Sequence, residues 1–315
     1  MIIDAHCHCV DRTWHPSWFW DALKNALTRR YGISAEQMAV LIEGSWDPSG
    51  DTMINAMDTA GVDKAIVCIS DFGLTKHGEE NPTPIEEINR LTAEMIRRHS
   101  GRLYFAAGAD PRRKNALEII ETGVKEWGAV SVKLQPAAGW YPNDRMVYPV
   151  YEKCVELGVP VNFHTGPWHH PMKSKYTYPT LFDEVAADFP KLTILCTHSG
   201  DLFFHEMVSL ARMYPNIVLD LAGWQGWLRA SRPTVISFYK TMRFMIDMVG
   251  PRLVFASDWG GFPEATRYRN WVKAFTEIPG WVKEAGIEFT KEELDGYLGG
   301  NVFRLFSLEG KVQKS

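Results

Sequence analysis

Eight short apolar runs recur along the chain, and each is followed by a longer stretch with the residue spacing of a helix. The runs cover residues 1–6, 63–70, 102–108, 129–135, 159–165, 192–198, 216–222 and 252–258. Near-continuous apolar and β-branched runs are typical of strands that are buried on both faces of a parallel sheet. Eight successive strand–helix units are the number that closes a (β/α)8 TIM barrel. The sequence therefore predicts an α/β protein with this fold.

The alternative is a doubly wound open sheet, which usually carries a glycine-rich phosphate-binding turn after its first strand. Here the first strand runs into the sequence HCHC instead. The 315 residues contain no linker-like segment rich in proline, serine or one sign of charge, so we expect a single domain over 1–315. Residues from about 10 to 60 are too many for one strand–helix connection and are rich in Trp. This segment predicts a helical insertion over the mouth of the barrel.

Composition and charge exclude several classes of protein. The formal net charge is −4, so no strongly basic surface indicates a nucleic-acid partner. No apolar run reaches the ~18 residues that a membrane-spanning helix needs, and the first residues lack the features of a signal peptide. The five cysteines are odd in number and irregularly spaced, which is typical of a reducing compartment. We expect a cytoplasmic protein with neither a membrane nor a nucleic-acid partner.

Histidine and aspartate residues stand at the carboxyl ends of four predicted strands: His6 and His8, His164, His198, and Asp258. In a TIM barrel these ends surround one mouth, where active sites form. His6 and His8 lie two residues apart and therefore share one face of their strand. Three neutral imidazoles and a carboxylate suit Zn²⁺, and also Mn²⁺, Fe²⁺ or Co²⁺. The pattern predicts one divalent transition metal, with zinc as the first choice, on His6, His8, His164 and Asp258, and an open position for water or substrate.

Six segments of the sequence resemble those of a known family: MIIDAHCHC, GAVSVKLQP, VPVNFHTG, LTILCTHSG, FASDWG and GGNVFRLFSL. They resemble the amidohydrolase-related metal enzymes (amidohydrolase family 2), in the branch that includes 2-amino-3-carboxymuconate-6-semialdehyde decarboxylase and the nonoxidative aromatic-acid decarboxylases. The resemblance implies the same four metal ligands, with His198 as a catalytic residue or a residue behind the ligands. It also implies a homodimer. The branch contains both hydrolases and decarboxylases. The resemblance therefore supports the fold and the metal more strongly than it supports either reaction.

The residues themselves are compatible with two reactions. We expect a metal-dependent hydrolase that uses a metal-activated water on a small, aromatic or conjugated substrate, without an organic cofactor. In that reaction Asp258 accepts a proton from the water, and His198 orients the water or stabilises the developing oxyanion. The alternative is a metal-dependent nonoxidative decarboxylase (a carboxy-lyase) of an aromatic or unsaturated carboxylic acid. There Asp258 or His198 delivers a proton to carbon.

Lys133, near the end of the fourth predicted strand, allows three interpretations. Many amidohydrolases carry a carbamylated lysine at this place, which bridges two metals, and His198 would then bind the second one. A plain ammonium group at the same position can instead bind a substrate carboxylate. The third interpretation is an ion pair behind the metal ligands, because buried lysines are usually paired.

The loops after the predicted strands carry further substrate-binding candidates. Aromatic rings at a barrel mouth form a flat-walled apolar pocket, and the chain has 12 Trp. A substrate carboxylate also needs a cation, which four loop arginines can supply by a bidentate contact. Besides Lys133, the predicted substrate-binding residues are Trp168, His169, Trp224, Trp259 and, among the arginines, Arg229.

Overall fold

Eight parallel strands form one sheet in the order of the sequence in the computed structural model of the chain. The structure describes residues 1–75, 79–260 and 265–309. The strands are β1 (Ile3–Cys7), β2 (Lys64–Cys68), β3 (Leu103–Gly108), β4 (Ser131–Leu134), β5 (Val161–His164), β6 (Ile194–Thr197), β7 (Ile217–Asp220) and β8 (Leu253–Val254). Each strand begins within the run that predicts it, and their strictly sequential order is that of a barrel.

The barrel closes where the segment after β8 meets β1. The amide of Ala5 donates to the carbonyl of Phe255 (2.9 Å), and the amide of Asp258 donates to the carbonyl of His6 (2.9 Å). The amide of His8 donates to the carbonyl of Trp259 (2.6 Å). The TIM-barrel prediction is therefore confirmed. All eight strands are shorter than the runs that predict them, and β8 is the shortest, with two residues.

Helices surround the sheet, as the spacing of apolar residues predicts. They are α1 (Ser17–Tyr31), α2 (Ala35–Glu43), α3 (Asp51–Ala60), α4 (Ile85–Arg98), α5 (Ala116–Lys125), α6 (Tyr148–Leu157), α7 (Asp183–Asp188), α8 (Phe204–Met213), α9 (Arg232–Val249), α10 (Ala265–Thr276), α11 (Gly280–Glu284), α12 (Lys291–Asp295) and α13 (Asn301–Leu305). In α4 the charges follow the helix dipole, with Glu86 and Glu87 in the first turn and Arg97 and Arg98 in the last.

Three helices, α1 to α3, lie between β1 and β2, which confirms the predicted insertion after the first strand. The last of them, α3, packs against α10 and completes the ring of helices around the barrel. The first two pack against each other and lie over the carboxyl ends of the strands. We call residues 12–43 the cap.

The other end of the barrel is closed by apolar side chains. Val302, Phe306 and Leu308 pack against interior residues of the strands, including Cys68. All five cysteines are buried and none forms a disulfide. In the described part of the chain, no helix has the length and apolar character needed to span a bilayer. The closed lower end leaves the mouth beneath the cap as the accessible end of the barrel.

Candidate functional site

Three polar side chains meet at the mouth: one from β1, one from the residue that follows it, and one from the loop after β8. The Nε2 atoms of His6 and His8 lie 3.1 Å apart. The Oδ1 atom of Asp258 lies 3.6 Å from Nε2 of His6 and 3.4 Å from Nε2 of His8. Two imidazole nitrogens and a carboxylate oxygen at this separation can hold a metal ion together. We call His6, His8 and Asp258 the strand-end cluster.

The backbone fixes the position of this cluster. His6 lies within β1 and His8 follows directly, so both rings point toward the same face. The Nδ1–H of His8 donates to the carbonyl of Cys68 (2.7 Å), which leaves its Nε2 lone pair directed at the cluster. Asp258 is held in the left-handed region (φ +57°) by the backbone hydrogen bond to His6. Such a conformation in a non-glycine residue persists only where its surroundings enforce it.

A buried carboxylate, that of Asp4, joins the two sides of the cluster. Its Oδ1 accepts hydrogen bonds from the amides of His6 (3.1 Å) and Ser257 (3.0 Å). Its Oδ2 accepts from the hydroxyl of Tyr268 (2.7 Å) and from that of Ser257. Burial raises the pKa of Asp4 to about 6, against the effect of these hydrogen bonds. Asp4 thus connects β1 to the loop that carries Asp258.

His164 and His198, at the ends of β5 and β6, form a pair beside the cluster. The Nδ1–H of His198 donates to the carbonyl of Ala222 (2.9 Å), so its Nε2 accepts from Nδ1–H of His164 (3.1 Å). This assignment leaves a lone pair on Nε2 of His164. That atom is buried and has no hydrogen-bond partner within 1–75, 79–260 and 265–309. A buried unpaired acceptor suits a metal ligand. His164 is nevertheless not part of either group of described residues whose ligand atoms all lie within 4.8 Å of one another, so its place in the predicted set stays a prediction.

The protonation of the site also suits a metal. Burial lowers the pKa of His6 and of His164 well below the usual value, and neighbouring Lys133 and His198 lower them further. Both rings are therefore neutral, as metal ligation requires. Burial raises the pKa of Asp258, but the neighbouring His8, His198 and Lys133 outweigh it and leave the pKa below its ordinary value. The residues present thus fit a divalent transition metal.

Asp220, at the end of β7, is a residue that the sequence analysis missed. Its Oδ1 accepts from the amides of His198 (2.7 Å) and Ala222 (2.9 Å). Its Oδ2 is fully buried and unpaired among the described residues, 3.8 Å from Nδ1 of His6. His6, His198 and Asp220 form a second group that is able to hold a metal. The available signal was a single carboxylate at the end of the apolar run NIVLDLA.

Lys133 lies behind the cluster and does not line the cavity at the mouth. Its side chain is 2% exposed. Its polar contacts within the described part of the chain are to Nε2 of His6 (3.2 Å) and Oγ1 of Thr197 (3.4 Å). Burial lowers its pKa. The ammonium group thus lies against the same Nε2 atom of His6 that faces Asp258, and the predicted contact with substrate stays a prediction.

A cavity of ≈ 380 Å³ opens above the cluster, between the barrel mouth and the cap. His8, His164, His198 and Asp258 line its floor. The walls are largely aromatic and comprise Phe19, Trp20, Phe72, Trp168, Trp224 and Trp227. The predicted residues Trp168, His169 and Trp224 all lie there, with Trp168 packed on the His164 ring at 4.5 Å. The size and flat walls suit one small aromatic molecule.

Trp259 and Arg229 lie outside this cavity, and their predicted contact with substrate stays a prediction. They line a second cavity of ≈ 340 Å³ that adjoins the first at Asp258. The Trp259 ring stacks on Tyr268 (5.3 Å between centroids). Of the described residues that line the first cavity, none is Lys or Arg.

His15 is a second residue that sequence reasoning missed. It comes from the cap and not from a strand end, and it lines the first cavity. Its ring packs at 4.4 Å from Phe19 and 5.2 Å from Phe72. The available signal was the density of aromatic and histidine residues in the stretch DRTWHPSWFW.

Several solved structures resemble this one across almost the whole chain. An uncharacterised TIM-barrel protein from Bordetella bronchiseptica is 20% identical, with a TM-score of 0.68 and coverage of 99% of both chains. A 5-carboxyvanillate decarboxylase from Novosphingobium aromaticivorans, complexed with manganese and 4-hydroxy-3-methoxy-5-nitrobenzoic acid, is 15% identical (TM-score 0.67, covering 98% of this chain and 96% of that one). A dihydroxybenzoic acid decarboxylase from Polaromonas, with manganese and 2-nitroresorcinol, is 17% identical (TM-score 0.66, 98% and 97%). At these identities the likeness establishes the fold.

The sequence profile of one family covers nearly all of the chain. No curated protein matches the sequence significantly. The profile described as "Amidohydrolase" matches residues 3–308. This range includes every strand of the barrel and all of the residues at its mouth. The protein therefore belongs to the amidohydrolase family.

Proposed function

We propose that the protein is a metal-dependent nonoxidative decarboxylase, which releases the carboxyl group of a small aromatic or unsaturated acid as carbon dioxide. The observation that carries this proposal is the position of the strand-end cluster on the floor of a cavity with flat aromatic walls. A planar acid that enters this cavity brings its carboxylate end to the cluster while its ring packs between Trp168 and Trp224.

The structural relatives support decarboxylation better than the hydrolysis that the sequence analysis put first. Two of them are decarboxylases of aromatic acids, and both hold manganese and a nitro-substituted aromatic ligand. Their likeness to this chain covers nearly its whole length. The shared fold supports a site at the same end of the barrel, and the chemistry must be argued from this chain's own residues.

His6, His8, His164 and Asp258 are the residues that we propose to hold the metal. When bound, a divalent ion supplies positive charge for the oxygens of the substrate and thereby orients the acid. We keep zinc and manganese as the two candidates, because imidazole and carboxylate ligands suit both.

Asp258 is the proposed carrier of the proton. Its carboxylate accepts a proton from a substrate hydroxyl and delivers it to the ring carbon that bears the carboxylate. The bond from that carbon to the carboxylate then breaks, its electron pair returns to the ring, and carbon dioxide leaves. Asp258 ends as a carboxylate and is protonated again in the next cycle. No oxidant or organic cofactor takes part.

His198 and the aromatic walls have supporting roles in this proposal. The ring of His198 is held by Ala222 and His164, so it presents one fixed edge to the substrate. The rings of Trp168, Trp224 and Trp227 limit the access of water to the floor of the cavity. Exclusion of water strengthens the electrostatic contacts there and protects the protonated ring intermediate.

The test is a screen of the metal-loaded protein against hydroxybenzoates, methoxybenzoates and unsaturated dicarboxylic acids, with carbon dioxide release as the readout. We expect release from at least one aromatic acid, and no release by Asp258→Asn under the same conditions. Amide, ester and carbon–carbon hydrolysis substrates are assayed in parallel. Hydrolysis without any release of carbon dioxide would refute the proposal and favour the hydrolase.

We further propose a homodimer located in the cytoplasm. The support is the resemblance to the decarboxylase branch and the five unpaired, buried cysteines. Light scattering coupled to size-exclusion chromatography tests the assembly, with a mass of twice 35.8 kDa expected.

A further inference from the structure

His15 places a polar group in the most apolar wall of the cavity. The residue lies between the short turn Arg12–Trp14 and helix α1, and only 7% of its surface is exposed. Its ring packs against Phe19 (4.4 Å), Phe72 (5.2 Å) and Trp20 (5.5 Å). The imidazole therefore interrupts a wall of hydrocarbon rings that faces the floor of the cavity.

The His15 ring is uncharged and incompletely paired. Burial lowers the pKa of His15 to about 3, and the nearby His8 lowers it further. A hydrogen bond with the backbone of Trp14 has the opposite, smaller effect. A neutral imidazole has one donor and one acceptor nitrogen. Its Nδ1 atom is buried and has no hydrogen-bond partner among the residues that the structure describes. Because Nδ1 is closed off from solvent while the residue lines the cavity, a ligand there can reach the polar edge of the ring only at Nε2.

The charges around the cavity define what that group can be. No Lys or Arg is found among its described lining residues, whereas two carboxylates, Asp201 and Asp258, are. A second carboxylate on the substrate would meet no cation near the cap and would lose its hydration there. An uncharged hydroxyl can exchange a hydrogen bond with the imidazole and leaves the rest of the ring in contact with Phe19 and Phe72.

We propose that His15 determines substrate specificity, by selecting aromatic acids that carry an uncharged hydrogen-bonding substituent, such as a phenolic hydroxyl, on the ring edge facing the cap. This inference rests on the proposed function, since it assumes that the carboxylate end of the acid lies at the strand-end cluster. It adds the second point of recognition, at the opposite end of the ring.

The test compares matched ligands that differ by one group of nearly equal size. The parent is 2-hydroxybenzoate, and each free ring position carries either a methyl or a hydroxyl group. Binding to the metal-loaded protein is followed by tryptophan fluorescence, since four Trp line the cavity. For at least one position we expect the wild type to bind the hydroxyl compound about tenfold more tightly, the effect of one net hydrogen bond.

Three variants separate recognition from packing. His15→Phe fills the same space without a polar atom, and we expect it to bind the two members of the pair equally. His15→Gln restores an uncharged donor and acceptor and should recover part of the preference. His205→Phe is the matched control, because His205 is exposed and does not line the cavity; the preference should be unchanged.

The outcomes distinguish this inference from the proposed function. An unchanged preference in His15→Phe, or the absence of any hydroxyl preference in the wild type, would overturn the role of His15. A preference that His15→Phe abolishes supports that role even if no acid releases carbon dioxide, in which case only the proposed function fails. With a turned-over acid, His15→Phe should raise KM for the hydroxyl compound far more than it lowers kcat.

Discussion

The cavity has two walls that are built by different means. The strand-end cluster of His6, His8 and Asp258 is fixed by backbone hydrogen bonds between β1 and the segment after β8. The opposite wall, which we call the cap wall, consists of His15, Phe19 and Trp20. It is fixed mainly by ring packing, for example the Phe19 ring stacked on Phe72 at 4.7 Å. Backbone ladders hold atoms to fractions of an ångström, whereas packed side chains tolerate substitution at modest cost.

This difference suggests a division of labour between the two walls. Proton transfer and metal binding need groups at fixed separations, and these groups lie on the strand ends. Recognition of one substituent or another requires only a wall of the right shape and polarity, and that wall lies on an insertion outside the barrel. We expect substitutions in the cluster to remove chemistry and substitutions in the cap wall to change affinity.

Asp258→Asn should have the largest effect. The amide keeps the size of the side chain but has no carboxyl proton to deliver, so we expect turnover to fall by about 10²–10⁴-fold. Far-UV circular dichroism and the unfolding midpoint should stay close to those of the wild type. Asp201→Asn is the matched control, because Asp201 also lines the cavity but lies outside the cluster; near-native activity of Asp258→Asn would exclude the proposed proton carrier.

The fold and the positions of the residues at the strand ends could be predicted from the sequence. Register in a parallel sheet is set by neighbouring strands, so residues at their carboxyl ends must meet at one mouth. For this reason His6, His8, His164, His198 and Asp258 could be located from the runs that precede them. Their assignment as ligands or acid–base groups remains a prediction.

Other parts of the site depend on contacts that the sequence does not reveal. His15 reaches the cavity only because the cap folds back over the mouth, which is a matter of long-range packing between α1 and the loops after β2 and β5. Trp259 lines the neighbouring cavity and stacks on Tyr268, and Lys133 contacts Nε2 of His6; both contacts depend on tertiary packing. Asp220 could have been predicted, because it is a carboxylate at the end of a predicted strand.

Gly260→Ala should damage the cluster by displacing its backbone. A Cβ atom at Gly260 would lie 2.0 Å from the carbonyl oxygen of His8, and φ there is +109°. We expect a loss of about 3 kcal/mol in the free energy of unfolding, from strain and overpacking together, and weaker metal binding. The matched control is Gly286→Ala, where φ is +76° but nothing lies within 4 Å.

In urea unfolding the control should lose only about 1–2 kcal/mol, the cost of the left-handed conformation alone. Equal losses in Gly260→Ala and Gly286→Ala would mean that the contact with His8 is not tight. The predicted contrast between a fixed and a tolerant region would then not hold at this point of the barrel.

Metal binding should stabilise the wild type but not a variant of the cluster. An ion at a hundredfold excess over its Kd stabilises the folded state by about 2.7 kcal/mol, so a chelator should lower the unfolding midpoint. In His8→Ala one ligand is missing, and the chelator should have little further effect. His15→Phe changes the cap wall only and should respond as the wild type does; elemental analysis should give about one equivalent of metal for both.

Trp20→Phe should have the smallest effect and tests the cap wall by itself. The indole Nε1–H donates to the carbonyl of Arg12 (2.8 Å), and its ring lies 5.9 Å from that of Trp46. Loss of this one partly exposed hydrogen bond should cost about 1 kcal/mol of stability or less. KM should rise severalfold because the wall loses area, while kcat and metal content stay near those of the wild type. A fall in kcat of more than about tenfold, without a change in stability, would mean that the cap wall takes part in the chemical step. The proposed difference in function between the two walls would then be wrong.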